Sequence, residues 1–406
     1  MFTDVLKGVK VVELATYVAA PGAARILSEW GAEVIKVESG GGDPWRYFGP
    51  TMGVPIADDE NPYYDLSNAN KKGIVINLKS PEGQEVFHRL LADADVFLTN
   101  VRGASLKKQG IDYETLHAKY PKLVWAHVTG QGTDGPDADL AGYDITSYWA
   151  RGGGLIDFVN PGALPLNSPS GLADHSTNYV IAAGICGALV KQRTTGIGSR
   201  VTASLYGLAV WANALYAIST QYGQKYPSNR YEGFNPLMSA YCCSDGEWIQ
   251  IVAPTYPVDF PKMCKILGLE HLIGDPRFES MAAMIKGGYR GDLIRLMEEA
   301  FLKKDSIEYA RLLTEADVAF APVRHFKDIA TDCQALANNY VVKHTFKSGN
   351  TIMLPAGAVQ FDSKEEPPHA WAPLVGEHTT EILQAYGYSD EEIAKLHESG
   401  AVKSSK

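Results

Sequence analysis

Cysteine is scarce. Five residues, Cys186, Cys242, Cys243, Cys264 and Cys333, occur in 406, and none forms a CxxC pair. An odd count without that spacing argues against a disulfide framework or a zinc cluster and fits a reducing cytoplasm. The ten histidines form no HxxxH or HExxH arrangement, so a helical metal-site pattern is missing and no metal is expected. No apolar run approaches the roughly 20 residues that cross a bilayer. The longest, Tyr179 to Val190, is short, rich in Ala and Gly, and reads as a buried helix. The opening MFTDVLKGVKVVELA has no basic segment leading into a long apolar core, so it does not read as a secretory signal. No polybasic run interrupts a formal net charge of -10, which excludes neither a local cationic pocket nor a phosphate ligand but argues against nucleic-acid and membrane partners. Finally, the first strand signal is not followed by GxGxxG. The loop reads ATYVAAPGAA, so dinucleotide binding loses its main support.

What is present is a globular composition, 45% hydrophobic and 21% charged. Strand and helix signals alternate: Val9 to Leu14, a helix opened by Pro21 and running to Trp30, and Val34 to Val37. Then come Gly73 to Leu78, a helix over Pro81 to Ala92, Val96 to Thr99 and Leu123 to Val128. Such alternation predicts an α/β fold with a doubly wound parallel sheet resembling a Rossmann sheet. Gly152 to Gly171 reads as loop, followed by long helices over Ser176 to Lys191 and Ser204 to Tyr222. From Met238 the pattern turns to short strands, Ser239 to Cys243 and Trp248 to Val252, around a Ser-Asp-Gly turn, with helices from about 257 to 315. This is a smaller α+β domain. Helices near 377 to 386 and from Asp390 close the chain.

Asp174, in GLADHS, stands at the start of a predicted helix. Two roles are open to it there. It can cap the helix by accepting backbone N–H bonds, or it can act as a carboxylate nucleophile. His175 beside it reads as structural or substrate-facing. Asp43 and Arg46 in GGDPWR can pair or line a polar pocket, and Asn68, Asn70, Lys71 and Lys72 in NANKK read as a solvated turn. Asn100 and Arg102 follow a strand at its C-terminal end, where open α/β sheets bind ligands. Lys108 lies in a helical stretch beyond them.

Together these segments resemble the class III coenzyme A-transferases. LKGVKVVELATYVAAPGAARILSEWGAEVIKVES followed by GGDPWR is similar to the family's opening. NANKKGIVINLKSPEGQEVF, ADVFLTNVRGASLKKQGIDYETL, YPKLVWAHVTGQGTDGP, GLADHS, RTTGIGSRVTASL and APLVGEHTTEILQAYGYSDEEI follow in the family's order. The resemblance implies that Asp174 is the nucleophile of a transfer passing through an aspartyl anhydride and an aspartyl-CoA thioester. No permanently bound cofactor is implied, since coenzyme A esters are the substrates. It implies contacts to CoA from Tyr17, Val18 and Ala19 near the thioester, from Asn100, from Ile76 facing the adenine, and from Lys108 where formyl-type enzymes have an arginine. Ser39 stands where those enzymes have another arginine, leaving that contact without a cation. The resemblance further implies a large domain of residues 1–215 completed by about 345–406, a small one of 228–330, linkers at 216–227 and 331–344, and an interlocked homodimer.

Val18 replaces the glutamine of the formyl branch, and that branch's five-glycine loop is missing. TYVAAP, ENPYYDLSNANKKG, DLAGYDITSYWARGG and GLADH instead resemble the 2-hydroxyacyl-CoA transferases of amino-acid fermentation, whose acids are aryl or branched-chain. The alternatives are a transferase of the same class for succinyl, bile-acid or carnitine-type esters, an acyl-CoA racemase of the same fold, and an inactive partner subunit. Racemases carry a His before an Asp where this chain has Tyr143 before Asp144, which removes their proton-transfer group.

Overall fold

The computed structural model describes residues 4–232, 235–362 and 370–405. The chain forms two compact units. One comprises Met1–Gly154, Asn167–Ile218 and Ala330–Lys406, and the other Leu155–Leu166 and Ser219–Ile329.

The first unit is built on a mixed sheet. Its strands are β1 (Lys10–Leu14), β2 (Glu33–Glu38), β3 (Lys72–Ile76), β4 (Val96–Thr99), β5 (Val124–Thr129) and β6 (Arg200–Ser204), with a C-terminal edge strand at Val402–Lys403. From that edge the order runs β3, β2, β1, β4, β5, β6. The six longer strands are parallel, and Val402–Lys403 pairs antiparallel with β3. The central strands are buried on both faces, which is why they read as runs of Val, Ile and Leu rather than as an alternation. Strand order reverses between β1 and β4, and such a switch point opens a crevice at the carboxyl ends of both strands.

Helices cover both faces. On one, the first helix (Ala19–Glu29) and the long helix (Leu172–Thr195) pack against β1, β4 and β5. On the other, Pro81–Ala92, Gly103–Lys108 and Tyr113–Lys119 are joined by Thr379–Ala385 and Asp390–Glu398 from the end of the chain. The first helix starts two residues before Pro21 and buries every residue. It sits tightly on the long helix: a Cβ on Gly22 would collide with the Asn178 side-chain amide.

Several elements depart from expectation. The long helix begins at Leu172, four residues early, because Gly171 at φ 86° turns the chain into it. The predicted Ser204 to Tyr222 helix is two, Leu205–Ala212 and Ala214–Gln221. The break falls at Asn213, whose side-chain amide donates to Gly152 O at 3.0 Å. β6 and Val402–Lys403 were not anticipated. Residues 331–344, expected as a linker, hold the helix Cys333–Ala337 and most of the strand Val341–Thr345, which pairs antiparallel with Thr351–Pro355.

The second unit has a three-stranded antiparallel sheet of Ala240–Cys242, Trp248–Val252 and Ala319–Pro322, the last not anticipated. Its helices enclose a separate core in which Tyr241 stacks on Phe301 at 4.8 Å. Among the described residues no helix is long and apolar enough to cross a membrane.

Candidate active site

The site grows out of the loop after β1. Beneath it lies a buried network of three basic side chains and three carboxylates. Parallel register sets Glu13 of β1 opposite Lys36 of β2, and Lys36 Nζ donates to Glu13 Oε1 at 2.8 Å and to Ala15 O at 3.0 Å. It also pairs with Asp43 Oδ2 at 3.0 Å. Burial disfavours the Lys36 charge, but Glu13 and Asp43 outweigh it and hold the ammonium well above its ordinary range. Lys71 Nζ reaches Glu13 Oε2 at 2.7 Å, Pro21 O at 2.7 Å and Asn68 Oδ1 at 2.8 Å. Arg46 pairs with Glu38 at 2.7 Å. NANKK is therefore no solvated turn. Lys71 is buried within this network, and only Lys72 pairs at the surface, with Glu381.

This network fixes a strained segment. Tyr17 has φ 66°, a left-handed conformation that costs a non-glycine residue about 1–3 kcal/mol and persists only where its surroundings impose it. Its N–H donates to Asp43 Oδ1 at 3.0 Å. Next to it, Asn100 clamps Thr16 from both sides. Asn100 Oδ1 accepts from Thr16 N at 3.1 Å, and Asn100 Nδ2 donates to Thr16 O at 2.7 Å.

Asp174 is the third residue of the long helix, and it is not the cap. That role falls to Asp144, which opens a π-helical turn at Asp144–Ala150. Asp144 Oδ2 accepts from Ala173 N at 2.9 Å and from Asp174 N at 3.2 Å. The half-buried Asp174 carboxyl is left for other work. Burial first, and the Asp144 charge second, push it up to about 7. Asn178 anchors the helix from below. With its amide oriented to place nitrogen toward the carbonyls, it donates to Asp174 O at 2.8 Å and Ala19 O at 2.6 Å.

Asp174 lines a cavity of about 560 Å³ at the β1–β4 crevice. Thr16, Tyr17 and Ala19 border it from one strand end, and Asn100, Arg102 and Ser105 from the next. His127 of β5 also lines it. Its Nε2 lies 2.8 Å from Val101 O, and burial pulls the imidazole down to about 4, so it stays neutral. Tyr143 packs edge-on against Tyr17 at 5.7 Å. A second cavity of about 1260 Å³ runs beside β3 and contains Ser39, Ile76, Lys79, Lys108, His397 and Lys403 in its wall. The two share Ser105.

The structure thus gathers Tyr17, Ala19, Asn100 and Asp174 in one cavity and Ile76 and Lys108 in the other. Val18 belongs to neither. At 2% exposure its side chain is buried, and Ala19 and Tyr143 line the cavity where that contact was expected. Asp43 and Arg46 support the loop from inside. Sequence reading missed Asp144 and His127. Asp144 lies 29 positions from Ala173, whose N–H it accepts, and no local pattern announces such a partner.

The family description of CoA-transferase family III matches residues 6–379. The chain is 41% identical over 398 residues to the (R)-2-hydroxy-4-methylpentanoate CoA-transferase of Clostridioides difficile, covering 98% of this chain and 99% of that protein. It is 42% identical over 397 residues to the cinnamoyl-CoA:phenyllactate CoA-transferase of Clostridium sporogenes, covering 97% and 96%. A solved CAIB/BAIF family protein from Brucella suis superposes with a TM-score of 0.77 at 28% identity, over 95% of this chain and 100% of that one. Sequence and architecture agree, and the chain belongs to CoA-transferase family III.

Proposed function

We propose that the protein transfers coenzyme A from an acyl-CoA to a 2-hydroxy acid, aryl or branched-chain, with Asp174 as covalent carrier. The observation that carries this reading is a carboxylate freed from capping, set in a cavity that shares Ser105 with a larger one lined by Lys108. The larger cavity suits the nucleotide end of CoA, with Lys79, Lys108 and Lys403 available to its phosphates, and the smaller one suits the thioester. The acyl specificity follows the two relatives at 41% and 42% identity. A fermentative role in the cytoplasm accords with that specificity.

In the proposed cycle an Asp174 oxygen attacks the acyl carbonyl, and the CoA thiolate leaves. The thiolate then attacks the aspartyl carbonyl of the mixed anhydride, which releases the donor acid and leaves an aspartyl-CoA thioester. The acceptor carboxylate attacks that carbonyl and expels the thiolate again. The thiolate finally takes the acceptor acyl group from the new anhydride, restoring the Asp174 carboxylate. Each exchange conserves one activated bond. His127, held neutral, adds no charge to a chamber through which thiolate and carboxylates pass.

The test is a panel. Purified protein is offered cinnamoyl-CoA with phenyllactate, 2-hydroxy-4-methylpentanoate, succinate, glutarate or oxalate, and the CoA esters formed are identified. The 2-hydroxy acids should be preferred by at least tenfold in kcat/KM. Equal or better transfer to the dicarboxylic acids would overturn the specificity, and no transfer to any acid would overturn the activity.

A further inference from the structure

We propose that Asp144 is a positioning residue for the nucleophile: its carboxylate occupies the amino end of the long helix and so withholds from Asp174 the cap that would otherwise quieten it. This rests on Asp174 being the carrier. An aspartate in the first turn of a helix ordinarily gains from the helix dipole and the free N–H groups there, which stabilise its anion and weaken it as a nucleophile. Here both nearby N–H groups already point at Asp144 Oδ2. The other oxygen, Asp144 Oδ1, is buried. Burial pushes the Asp144 carboxyl up, while the N–H groups of Asp174, Ala173 and Gly171 and the Trp149 side chain favour its charged form. Its negative charge sits beside Asp174 and pushes that carboxyl up in turn. When Asp174 becomes acylated its charge passes to the departing thiolate, and the repulsion between the two aspartates disappears. The ground state is raised relative to both covalent intermediates, and the attack gains from the relief.

The geometry is built to last. Tyr143 N donates to Thr146 Oγ1 at 3.0 Å and Ser147 N donates to Tyr143 O at 2.8 Å, so the turn carrying Asp144 is pinned at its start. A Cβ on Gly142 would stand 2.5 Å from Gly130 Cα, which holds the turn against the end of β5. The other groups that face Asp174 leave the effect to Asp144. Burial pulls the His127 imidazole down to about 4 and lowers His175 as well, and it pushes the Tyr17 phenol further up. Arg102 lines the same cavity. Tyr148 also faces Asp144, and burial together with that charge pushes its phenol up. Tyr143 packs its ring on Tyr17.

The experiment compares kcat/KM for cinnamoyl-CoA and phenyllactate, or the pair that the panel selects, from pH 5 to 9. Wild type, Asp144→Asn, Asp144→Ser and Asp144→Glu are measured alongside Asp174→Asn. Asn and Ser both cap helices well, so the fold should survive. In the neutral variants the acid limb should move down by about one pH unit, while the plateau at high pH falls about tenfold or more. Asp144→Glu should keep the limb near its wild-type position. A limb that stays in place in Asp144→Asn or Asp144→Ser assigns Asp144 a merely structural role and overturns the proposal. So does failure of both neutral variants to fold, because a neutral cap is expected to suffice. Activity retained by Asp174→Asn would instead remove the carrier itself, a distinct failure.

Discussion

At Asp174, stability and activity should pull in opposite directions. Asp174→Asn keeps size and shape but offers an amide in place of a carboxylate, so transfer should fall by several decades, and Asp174→Ala should lose as much. Hydroxylamine with an acyl-CoA should trap wild type as a hydroxamate on the peptide holding GLADHS, and a label on another carboxylate would remove the assignment. Folding responds differently. Asp144 holds the cap, so neither substitution uncaps the helix. The folded carboxyl lies near 7, well above the roughly 3.9 of an unfolded aspartate. Its contribution to stability is therefore fully present below about pH 4 and is lost as pH rises through 7. At pH 8 the Asn variant should melt above wild type, by on the order of 2 kcal/mol once solvent access is allowed for, and below pH 4 the two should coincide. A lower melting point at pH 8 would contradict this. Two neighbours separate support from contact. Asn100 has both amide groups engaged on Thr16, so Asn100→Ala should release the Tyr17 loop and depress kcat. Lys108 lies in the wall of the larger cavity, so Lys108→Ala should raise KM for several CoA esters alike and spare kcat. Initial rates with two acyl-CoAs distinguish the patterns.

The pair formed by the first and long helices is the element that sets the height of Asp174 over the crevice. Gly22 permits their approach. Gly22→Ala places a methyl group on the Asn178 amide and should cost about 1–3 kcal/mol in denaturant unfolding, with a matching loss of activity as Asp174 shifts. A neutral result would mean that Asn178 swings away freely. Elements of this kind differ in how openly the sequence announces them. VVEL, VIKVE and VFLT are strands in any reading, because a doubly covered sheet demands apolar runs. The first two even carry the clue to the ion network, Glu13 in one and Lys36 and Glu38 in the other, charges of both signs in adjacent buried strands. β6, RVTAS, lacks such a run because it is an edge strand with half-exposed side chains. Val402–Lys403 is too short to show any period. Lys71 looked solvated because NANKK is polar apart from Ala69, while its burial depends on Glu13 nearly sixty residues away. Asp174 itself was legible as a helix-start aspartate. Which aspartate holds the cap is decided by the tertiary fold alone.

For the whole molecule, the first unit leaves an apolar surface on the helix Leu205–Ala212 and on the following residues up to Ile218. Trp211 is 81% exposed and Leu215 80%, with Val210 and Ile218 also exposed. A patch of this kind on a chain of net charge -10 calls for a cover. We propose that a homodimer supplies one, with an interface expected to exceed roughly 2,000 Å². Sedimentation velocity should give a dimer down to nanomolar concentration, and a fully active monomer would refute it.

The edge of the sheet adds a matter of timing. Val402 pairs with Ile76 across 326 intervening steps of the chain. At about 5–20 residues per second of synthesis, β3 waits roughly 16–65 s for the strand that shields it. Throughout that interval its outer N–H and C=O groups stand open, a template for any other extended segment. Lys403 and His397, which also border the larger cavity, arrive with the same late segment. The nascent enzyme therefore acquires the covered edge of β3 and the complete wall of the larger cavity together, and a ribosome stalled shortly before Val402 would hold a polypeptide lacking both.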